Sequence, residues 1–319
     1  MTVLLKKTNE LSDKEIEKFC QLFNEVFLEA QLKTIKTFKE MYLNTAQGYS
    51  YHSLMYFKEE LVGARNTMPM DYIVDGKKII IGVGADFMIK EGYRSLTNLM
   101  KLIKFSEESL LENGIVFDLG LPNKNAHTIL NRVFQYKDIG NLKTYVLPYR
   151  VGGIKPGLKY FNWLSILVVN VLFSFSKLRK SYKTQQFLVD KNRDKQAKYR
   201  YKWFGADYKM CQMSEFSFIY RILTKDGIRT AFLIDIDKLN PQNITTAVRY
   251  ILKVDKKSID LIMYVGYLTF NPFPLLKIPK RVEPKKFNFH GKFLDLEKHD
   301  DRFFNIENWN INLSCYDLL

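Results

Sequence analysis

An alternating series of apolar and amphipathic segments between Ile79 and Tyr149 places the tightest limits on the fold of this chain. An apolar run leads through a turn into a long amphipathic segment. A second apolar run, a short amphipathic segment and a third apolar run follow. Short apolar runs bounded by turns predict buried strands, and apolar residues spaced three and four apart predict helices. The series therefore predicts strand, long helix, strand, short helix and strand, as in an α/β domain.

The turn before the long helix contains Arg94 and has the properties of a phosphate site. The first backbone N–H groups of a helix have no partner within the helix, and the helix dipole favours negative charge there. An anion-binding position is therefore predicted at the turn between the first strand and the long helix.

Local signals predict the elements on either side of this series. Ser12 and Glu15 form a capping box that predicts a helix start, and Asp75-Gly76 predicts a β-hairpin. From Phe216 onward the order strand, strand, helix, strand recurs, which predicts a tandem repeat with a divergent second copy. The predicted organisation is a first lobe over 1–152, a linking helix and basic linker over 153–197, and a second lobe over 198–319.

The net charge of +15 predicts an anionic partner: nucleic acid, a membrane face, a nucleotide-linked substrate or cofactor phosphates. A generally lysine-rich composition is the alternative explanation. Residues 177–209 alone carry a net charge of +8, and they follow the uncharged segment Tyr160–Phe175. We interpret that segment as a buried linking helix. An interfacial membrane helix and a transmembrane span are the alternatives, the former giving peripheral contact with an anionic membrane through residues 160–183.

The cysteines and histidines predict a reduced cytoplasmic protein without a metal. Cys20, Cys211 and Cys315 are far apart, and the four histidines share no ligand spacing. The sequence contains no nucleophile elbow, Walker motif or dinucleotide fingerprint. The expected location is the cytoplasm, with the inner face of the membrane as the alternative.

Residues 80–150 resemble the central region of the GNAT (GCN5-related N-acetyltransferase) superfamily, and most of all its bacterial surface-polysaccharide subgroup. The resemblance rests on the element order, on Tyr93-Arg94 and on Gly120-Leu121-Pro122-Asn123. The segment Lys198–Tyr208 resembles the signature that opens the second lobe of tandem members. The implied fold is α/β, with two tandem GNAT-like lobes whose mixed, mostly antiparallel sheets are flanked by helices.

The resemblance also implies an acyl-CoA co-substrate, most simply acetyl-CoA, lying in a gap between two splayed strands. Main-chain groups of Phe87, Met88 and Ile89 would pair with the pantetheine arm. The turn and helix start would hold the pyrophosphate through Arg94, Ser95, Leu96, Thr97, Asn98 and Leu99. Asn123 and Asn125 would touch the pantetheine from the other side. Thr97 and Leu99 stand where the family has small residues, and Asn131 stands near the place of its usual tyrosine acid.

Acyl transfer to an amine requires a group that removes a proton from the ammonium. Asp86, in the strand that would border the acyl group, is the first candidate, and His127, just after Pro122-Asn123, is the second. Tyr93 and Tyr136 are candidate acids. Structural roles are the alternative for all four.

Asp235 and Asp237 alternate along a predicted strand, so they would face one side and bind a cationic amine between the lobes. A solvated strand end is the alternative for this pair.

The predicted activity is N-acylation of an amino sugar, nucleotide-linked or lipid-linked, in cell-surface polysaccharide synthesis. One alternative is a tandem-GNAT transferase that uses aminoacyl-tRNA, to which the basic segment would be suited. The other is a non-catalytic, membrane-docked partner protein with the same fold.

Overall fold

The chain folds into two compact units, each built from more than one part of the sequence. Unit 1 comprises residues 1–140, 189–206 and 288–304, and unit 2 comprises residues 141–188, 207–287 and 305–319. The structure is a computed structural model. It describes residues 1–28, 32–176, 184, 186–193, 207–279, 281, 283 and 288–315.

Unit 1 is a mixed sheet flanked by helices. Its helices are α1 (Asp13–Val26), α2 (Ile35–Leu43), α3 (Leu96–Glu112) and α4 (Lys124–Phe134), with 3-10 turns at Thr8–Glu10, Glu91–Tyr93, Leu296–Lys298 and Asp301–Phe304. Its strands are β1 (Thr2–Lys7), β2 (Tyr51–Phe57), β3 (Glu60–Val74), β4 (Lys77–Ile89), β5 (Phe117–Gly120), β6 (Lys137–Asn141), β8 (Val189–Lys191) and β14 (Asn288–Phe293).

The strand order of this sheet is β1-β2-β3-β4-β5-β14-β6, with β8 added beside β3. The pairs β1–β2, β2–β3, β3–β4, β3–β8 and β5–β14 are antiparallel, whereas β4 and β5 are parallel and joined by α3. A parallel pair requires a crossover connection, which explains why the longest helix of unit 1 lies there. Leu102, Ile103 and Leu110 of that helix are buried, as its apolar spacing predicts.

Short-range signals set several of these boundaries. The Ser12 side chain accepts a hydrogen bond from the Glu15 amide, and the Glu15 side chain accepts one from the Ser12 amide, which confirms the predicted capping box. The turn between β3 and β4 falls at Asp75 and Gly76, which both have positive φ angles. The hairpin predicted there is confirmed, and it is longer than expected because β3 runs without interruption to Val74.

Unit 2 has a second, six-stranded sheet in the order β13-β7-β12-β11-β10-β9. Its strands are β7 (Lys143–Pro148), β9 (Tyr208–Gln212), β10 (Ser217–Lys225), β11 (Ile228–Ile236), β12 (Leu261–Gly266) and β13 (Leu276–Lys277). Its helices are α5 (Val151–Ile154), α6 (Asn162–Ser176) and α7 (Pro241–Asp255), with 3-10 turns at Pro156–Phe161, Ile306–Asn308 and Leu313–Cys315.

The two units repeat one motif, which confirms the expected fold of two mostly antiparallel sheets flanked by helices. In unit 2, β11 and β12 form a parallel pair joined by α7, as β4 and β5 are joined by α3 in unit 1. Both motifs also carry a β-bulge, one between β3 and β4 and the other between β10 and β11. The residue pairs at the bulges place one extra residue on β4 and on β11 respectively.

The units differ from the predicted linear boundaries, because strands are contributed across them. β14, predicted within the second lobe, lies in the sheet of unit 1 between β5 and β6. β7, predicted within the first lobe, lies in the sheet of unit 2. Near the end of the described chain, Asn312 forms an isolated antiparallel bridge with Gly266, and a 3-10 turn begins at Leu313.

The preferred interpretation of residues 160–175 as a buried helix is wrong. Helix α6 forms there, but only 11% of the apolar stretch within Pro156–Ser174 is buried, and Trp163 is 66% exposed. The helical segment Pro156–Ser174, of 19 residues, is long and apolar enough to cross a membrane by length and composition alone. One face of α6 still contacts the core of unit 2 through Ile166, Val169 and Phe173.

Candidate functional site

Asp86 lies at the bulge of β4 in unit 1. Ala64 of β3 pairs with Met88 and Asn66 pairs with Ala85, so Asp86 and Phe87 together oppose Arg65. Asp86 has a φ angle of 42°, in the left-handed region that non-glycine residues seldom adopt. Such a bulge bends the strand and redirects a side chain, and here it turns the Asp86 carboxylate toward α2.

The Asp86 carboxylate holds an ammonium group within aromatic side chains. It accepts a hydrogen bond of 2.5 Å from the Tyr42 hydroxyl and forms an ion pair with Lys33. The Lys33 nitrogen also lies 4.0 Å from the centre of the Phe23 ring and 5.3 Å from that of Tyr42. Both charged side chains are largely buried. A carboxylate with aromatic faces around it is a chemically suitable site for a primary ammonium.

A series of buried, hydrogen-bonded polar side chains supports the backbone of this bulge. Asn66 donates a hydrogen bond to the Asp86 carbonyl, and its own side-chain oxygen lies 2.8 Å from Nδ1 of His52. The His52 Nε2 lies 2.8 Å from the Thr8 hydroxyl. Burial lowers the pKa of His52 to about 4, so the ring is neutral at neutral pH. Nδ1 then carries the proton, because it faces the Asn66 carbonyl oxygen.

The pairing between β4 and β5 is short. They pair only between Ile81–Val83 and Phe117–Leu119, after which β5 ends at Gly120 and β4 continues to Ile89. The part of β4 that follows the pairing includes Asp86 and the predicted pantetheine-contacting residues Phe87, Met88 and Ile89. Met88 and Ile89 are buried, and Phe87 packs against residues of α3 and α4.

Helix α3 begins shortly after β4, and its first turn leaves two amides open. Ser95 is the N-cap: its hydroxyl accepts from the Asn98 amide, and its carbonyl accepts from the Leu99 amide. The amides of Leu96 and Thr97 have no hydrogen-bond partner within the described part of the chain. Of the predicted phosphate-contacting residues 94–99, these two therefore present free backbone donors.

Arg94 and Leu99 are held by other contacts at this turn. The Arg94 Nε donates to the Ile89 carbonyl at 2.9 Å, which ties the turn to the end of β4. The Leu99 side chain packs with the buried residues Leu102 and Ile103. The Asn98 side chain donates to the Tyr93 carbonyl. The cofactor role of these residues remains a prediction, while their structural role in shaping the turn is clear.

His127 lies on α4 in a second polar cluster. Its Nε2 is 2.6 Å from a carboxylate oxygen of Asp138, and Asn131 donates to the same oxygen at 3.0 Å. Burial raises the pKa of Asp138, but the hydrogen bonds from His127 and Asn131 outweigh it, so the pKa lies below its ordinary value. An ionised Asp138 holds the proton of His127 on Nε2 and leaves Nδ1 as an acceptor.

His290 of β14 completes this cluster. Its ring lies 5.8 Å from that of His127, and its Nδ1 is 3.0 Å from the Asn131 carbonyl oxygen. Burial, together with the nearby His127, lowers the pKa of His290 to about 3. Sequence spacing did not reveal Asp138 or His290, because each reaches the cluster from a separate strand.

The structure does not join the two predicted catalytic residues. No hydrogen bond or ion pair among the described residues links Asp86 with His127. Asn123 caps α4 through a bond from the Ala126 amide to its side-chain oxygen. Asn125 lies in the first turn of α4, and its side chain is outside the described part.

A buried ionic group close to the sheet centre was also missed. Arg65 pairs with Asp118, and Tyr136 donates to the same carboxylate at 2.5 Å while accepting from Arg65 at 2.7 Å. Burial is the largest influence on the pKa of Tyr136, which lies well above its ordinary value. A buried hydroxyl already bonded to a carboxylate is a structural group, so Tyr136 is poorly placed as the catalytic acid.

The remaining candidates have structural contacts. Tyr93 is partly exposed, and its hydroxyl lies 3.3 Å from Glu60. Asp235 is buried and accepts a hydrogen bond from Asn312, whereas Asp237 lies past the end of β11. The two carboxylates therefore do not form the predicted pair. Within the described residues, no group of three or more His, Cys, Asp or Glu side chains is arranged to hold a metal ion.

Comparison with known proteins supports the fold assignment through structure alone. No family model matches the sequence, and no curated protein sequence matches it significantly. Similar solved structures include a GCN5-related N-acetyltransferase from Anabaena variabilis, with a TM-score of 0.58 and 11% identity over 92% of this chain and 74% of that one.

Two further structures have similar scores. A probable N-acyltransferase from Enterococcus faecalis has a TM-score of 0.57 and 12% identity over 93% of this chain and 74% of that one. Eis1 from Mycobacterium abscessus has a TM-score of 0.54 and 11% identity over 93% of this chain and 75% of that one. The chain therefore has the fold of the GCN5-related N-acetyltransferases, as its sequence led us to expect.

Proposed function

We propose that this chain is an acyl-CoA-dependent N-acyltransferase. It transfers an acyl group, most simply acetyl, to the amine of a nucleotide- or lipid-linked amino sugar during cell-surface polysaccharide synthesis in the cytoplasm. The observation that carries the proposal is the end of the β4–β5 pairing shortly before the Asp86 bulge, followed by the open helix start of α3. In the segment from the end of β4 to the start of α3, the strand would bind pantetheine and the helix-start amides would bind phosphate.

In this proposal the co-substrate follows β4 into the start of α3. Main-chain groups of Phe87, Met88 and Ile89 meet the pantetheine arm. The pyrophosphate accepts hydrogen bonds from the Leu96 and Thr97 amides, where the helix dipole adds to the attraction. Arg94 fixes the turn through its bond to the Ile89 carbonyl and supplies positive charge.

The acceptor ammonium would bind where Lys33 now lies, between Asp86 and the aromatic rings of Phe23 and Tyr42. Asp86, the first predicted base, would remove one proton from the ammonium that it holds, and His127, with Nδ1 left as an acceptor, is the alternative base. The neutral amine would then attack the thioester carbonyl, forming the C–N bond while the C–S bond breaks and the CoA thiolate leaves. The nitrogen loses its second proton to solvent and the thiolate takes up a proton from solvent, so an amide and free CoA are the products.

The acceptor class is supported by the subgroup resemblance and by the net charge of +15, which suits a phosphate-bearing substrate. The aminoacyl-tRNA alternative depends on the basic segment 177–209, most of which lies outside the described residues. The second-lobe signature at residues 198–206 lies outside them as well. No described contact favours RNA, so the amino-sugar reaction is the better supported candidate.

Titration calorimetry with acetyl-CoA tests co-substrate binding. Thr97→Asp adds a negative charge beside the two open amides and should weaken binding on the order of 10-fold, without loss of stability because the charge suits the helix start. Thr224→Asp makes the same change at an exposed position in unit 2 and should leave binding unchanged. Absence of acetyl-CoA binding at millimolar concentration, or equal effects of both variants, would contradict the proposed site.

Thiol release from acetyl-CoA measures the reaction with different acceptors. Nucleotide-linked amino sugars should support turnover, and the matching sugars without an amino group should not. Turnover with free amino sugars alone would disprove the nucleotide-linked assignment. Binding of acetyl-CoA without turnover on any amine would favour the non-catalytic alternative.

A further inference from the structure

Helix α6 and the 3-10 turn before it form an exposed apolar surface on unit 2. No charged residue occurs between Tyr160 and Ser176. Tyr160 is 88% exposed, and the other large exposed side chains of this surface are Leu158, Phe161, Trp163, Leu164, Leu167, Val168 and Val171. Contiguous apolar surface of this extent is uncommon on a soluble monomer and marks an interaction site.

The opposite face of α6 is fixed to unit 2. Val169 is 2% exposed and packs into the core with Ile166 and Phe173. The Ser165 hydroxyl donates to the Tyr149 carbonyl, and Arg249 donates to the Phe173 carbonyl. These contacts hold the helix along the surface of unit 2, while its opposite, apolar face stays exposed.

Positive charge flanks the apolar segment in the sequence. Lys155 and Lys159 are exposed just before it. In the sequence, Lys177, Arg179, Lys180 and Lys183 follow directly after it, outside the described residues. Residues 156–176 contain no Asp or Glu, so a second copy of this surface offers no carboxylate to pair with Lys155 and Lys159. An anionic lipid surface matches both the apolar face and these exposed lysines.

We infer that the surface formed by residues 156–176 docks this protein onto an anionic phospholipid bilayer, with α6 lying in the interface. Trp163, Tyr160 and Phe161 enter at headgroup depth, where amphipathic aromatic rings are favoured. Leu164, Leu167, Val168 and Val171 contact the acyl chains, while Lys155 and Lys159 meet lipid phosphates. The inference is independent of the proposed chemistry.

Co-sedimentation of the full chain with vesicles tests the docking. The protein should bind phosphatidylglycerol-containing vesicles, bind pure phosphatidylcholine vesicles at least about 10-fold less tightly, and release as salt rises. The double variant Trp163→Ser/Leu167→Ser should lose at least about 10-fold in partitioning. Leu276→Ser/Leu296→Ser, a matched change at two other exposed leucines, should bind as the parent does. Lys155→Glu/Lys159→Glu should weaken binding to the anionic vesicles only.

Thermal unfolding of each variant separates docking from folding, because all altered side chains are exposed and should leave the midpoint unchanged. Three results would overturn the inference. The first is no binding to anionic vesicles by the parent chain. The second is dimerisation in solution that the Trp163→Ser/Leu167→Ser variant abolishes, which would mean that a second copy covers the surface. The third is resistance to alkaline carbonate extraction, which would mean that the helix spans the bilayer.

Discussion

The ammonium nitrogen of Lys33 lies 4.0 Å from the centre of the Phe23 ring while it pairs with the Asp86 carboxylate. If this is the acceptor site, Lys33 competes with the substrate. Lys33→Met should then lower KM for the amine acceptor on the order of 10-fold, and Asp86→Asn should raise it by about 30-fold or more, because a charge-assisted bond is lost.

Lys39→Met provides the matched control for this site, since Lys39 pairs with Asp13 at the surface. It should leave KM unchanged. Lys33→Met should also lower the free energy of unfolding by about 1–3 kcal/mol, because it leaves a mostly buried carboxylate without its cation. If Lys33→Met raises KM instead, the lysine is itself part of the acceptor site.

The pair formed by His127 and Asp138 predicts a kcat effect with little change in KM. His127→Ala should lower kcat by roughly 10²–10⁴-fold if the ring is the general base. Asp138→Asn should lower kcat at least about 10-fold, because the carboxylate no longer fixes the proton on Nε2. Asp301→Asn breaks a comparable, exposed pair with His299 and should have no effect. A loss confined to KM would assign His127 to binding.

The Arg65–Asp118 pair predicts a large stability effect without a direct role in chemistry. Asp118→Ala leaves a buried guanidinium uncompensated and should cost about 3–5 kcal/mol. Tyr136→Phe removes two buried hydrogen bonds and should cost about 1–3 kcal/mol. Asp300→Ala removes one partner of the exposed Arg302 and should cost less than about 1 kcal/mol. Urea unfolding measures all three.

The buried histidines predict a loss of stability on acidification. Burial lowers the pKa of His52 to about 4 and that of His290 to about 3, so the unfolded chain binds a proton at each site before the folded chain does. The stabilisation is therefore complete above about pH 6.5 and declines as the pH falls toward these values. At pH 5 each histidine should cost on the order of 2 kcal/mol relative to pH 7.

Urea unfolding at pH 7 and pH 5 measures this effect. His290→Asn should reduce the difference in unfolding free energy between pH 7 and pH 5 by the contribution of one histidine. This holds whatever stability the variant loses at pH 7. His299→Asn alters a partly exposed ring and should leave the difference unchanged. Equal pH dependence in the parent and the His290→Asn variant would show that His290 already titrates in the same way in both states.

Periodicity predicted most of the elements because each is set by neighbours in the chain. The Ser12 capping box, the Asp75-Gly76 turn and the buried face of α7 were all readable, since each depends on residues within a few positions of one another. Helix α6 was also predicted as a helix. Its exposure was not, because an apolar composition does not say whether a neighbouring element is long enough to cover it.

The sequence by itself determined the order of strands and helices, the two repeats of the motif and the resemblance to the GNAT fold. The tertiary structure decided which strands pair and which polar side chains meet. β14 enters the sheet of unit 1 after an interval of many residues, and with it His290 reaches Asn131. Lys33 reaches Asp86 only because a bulge redirects one carboxylate. These contacts depend on long-range pairing, which the spacing of residues along the chain does not encode.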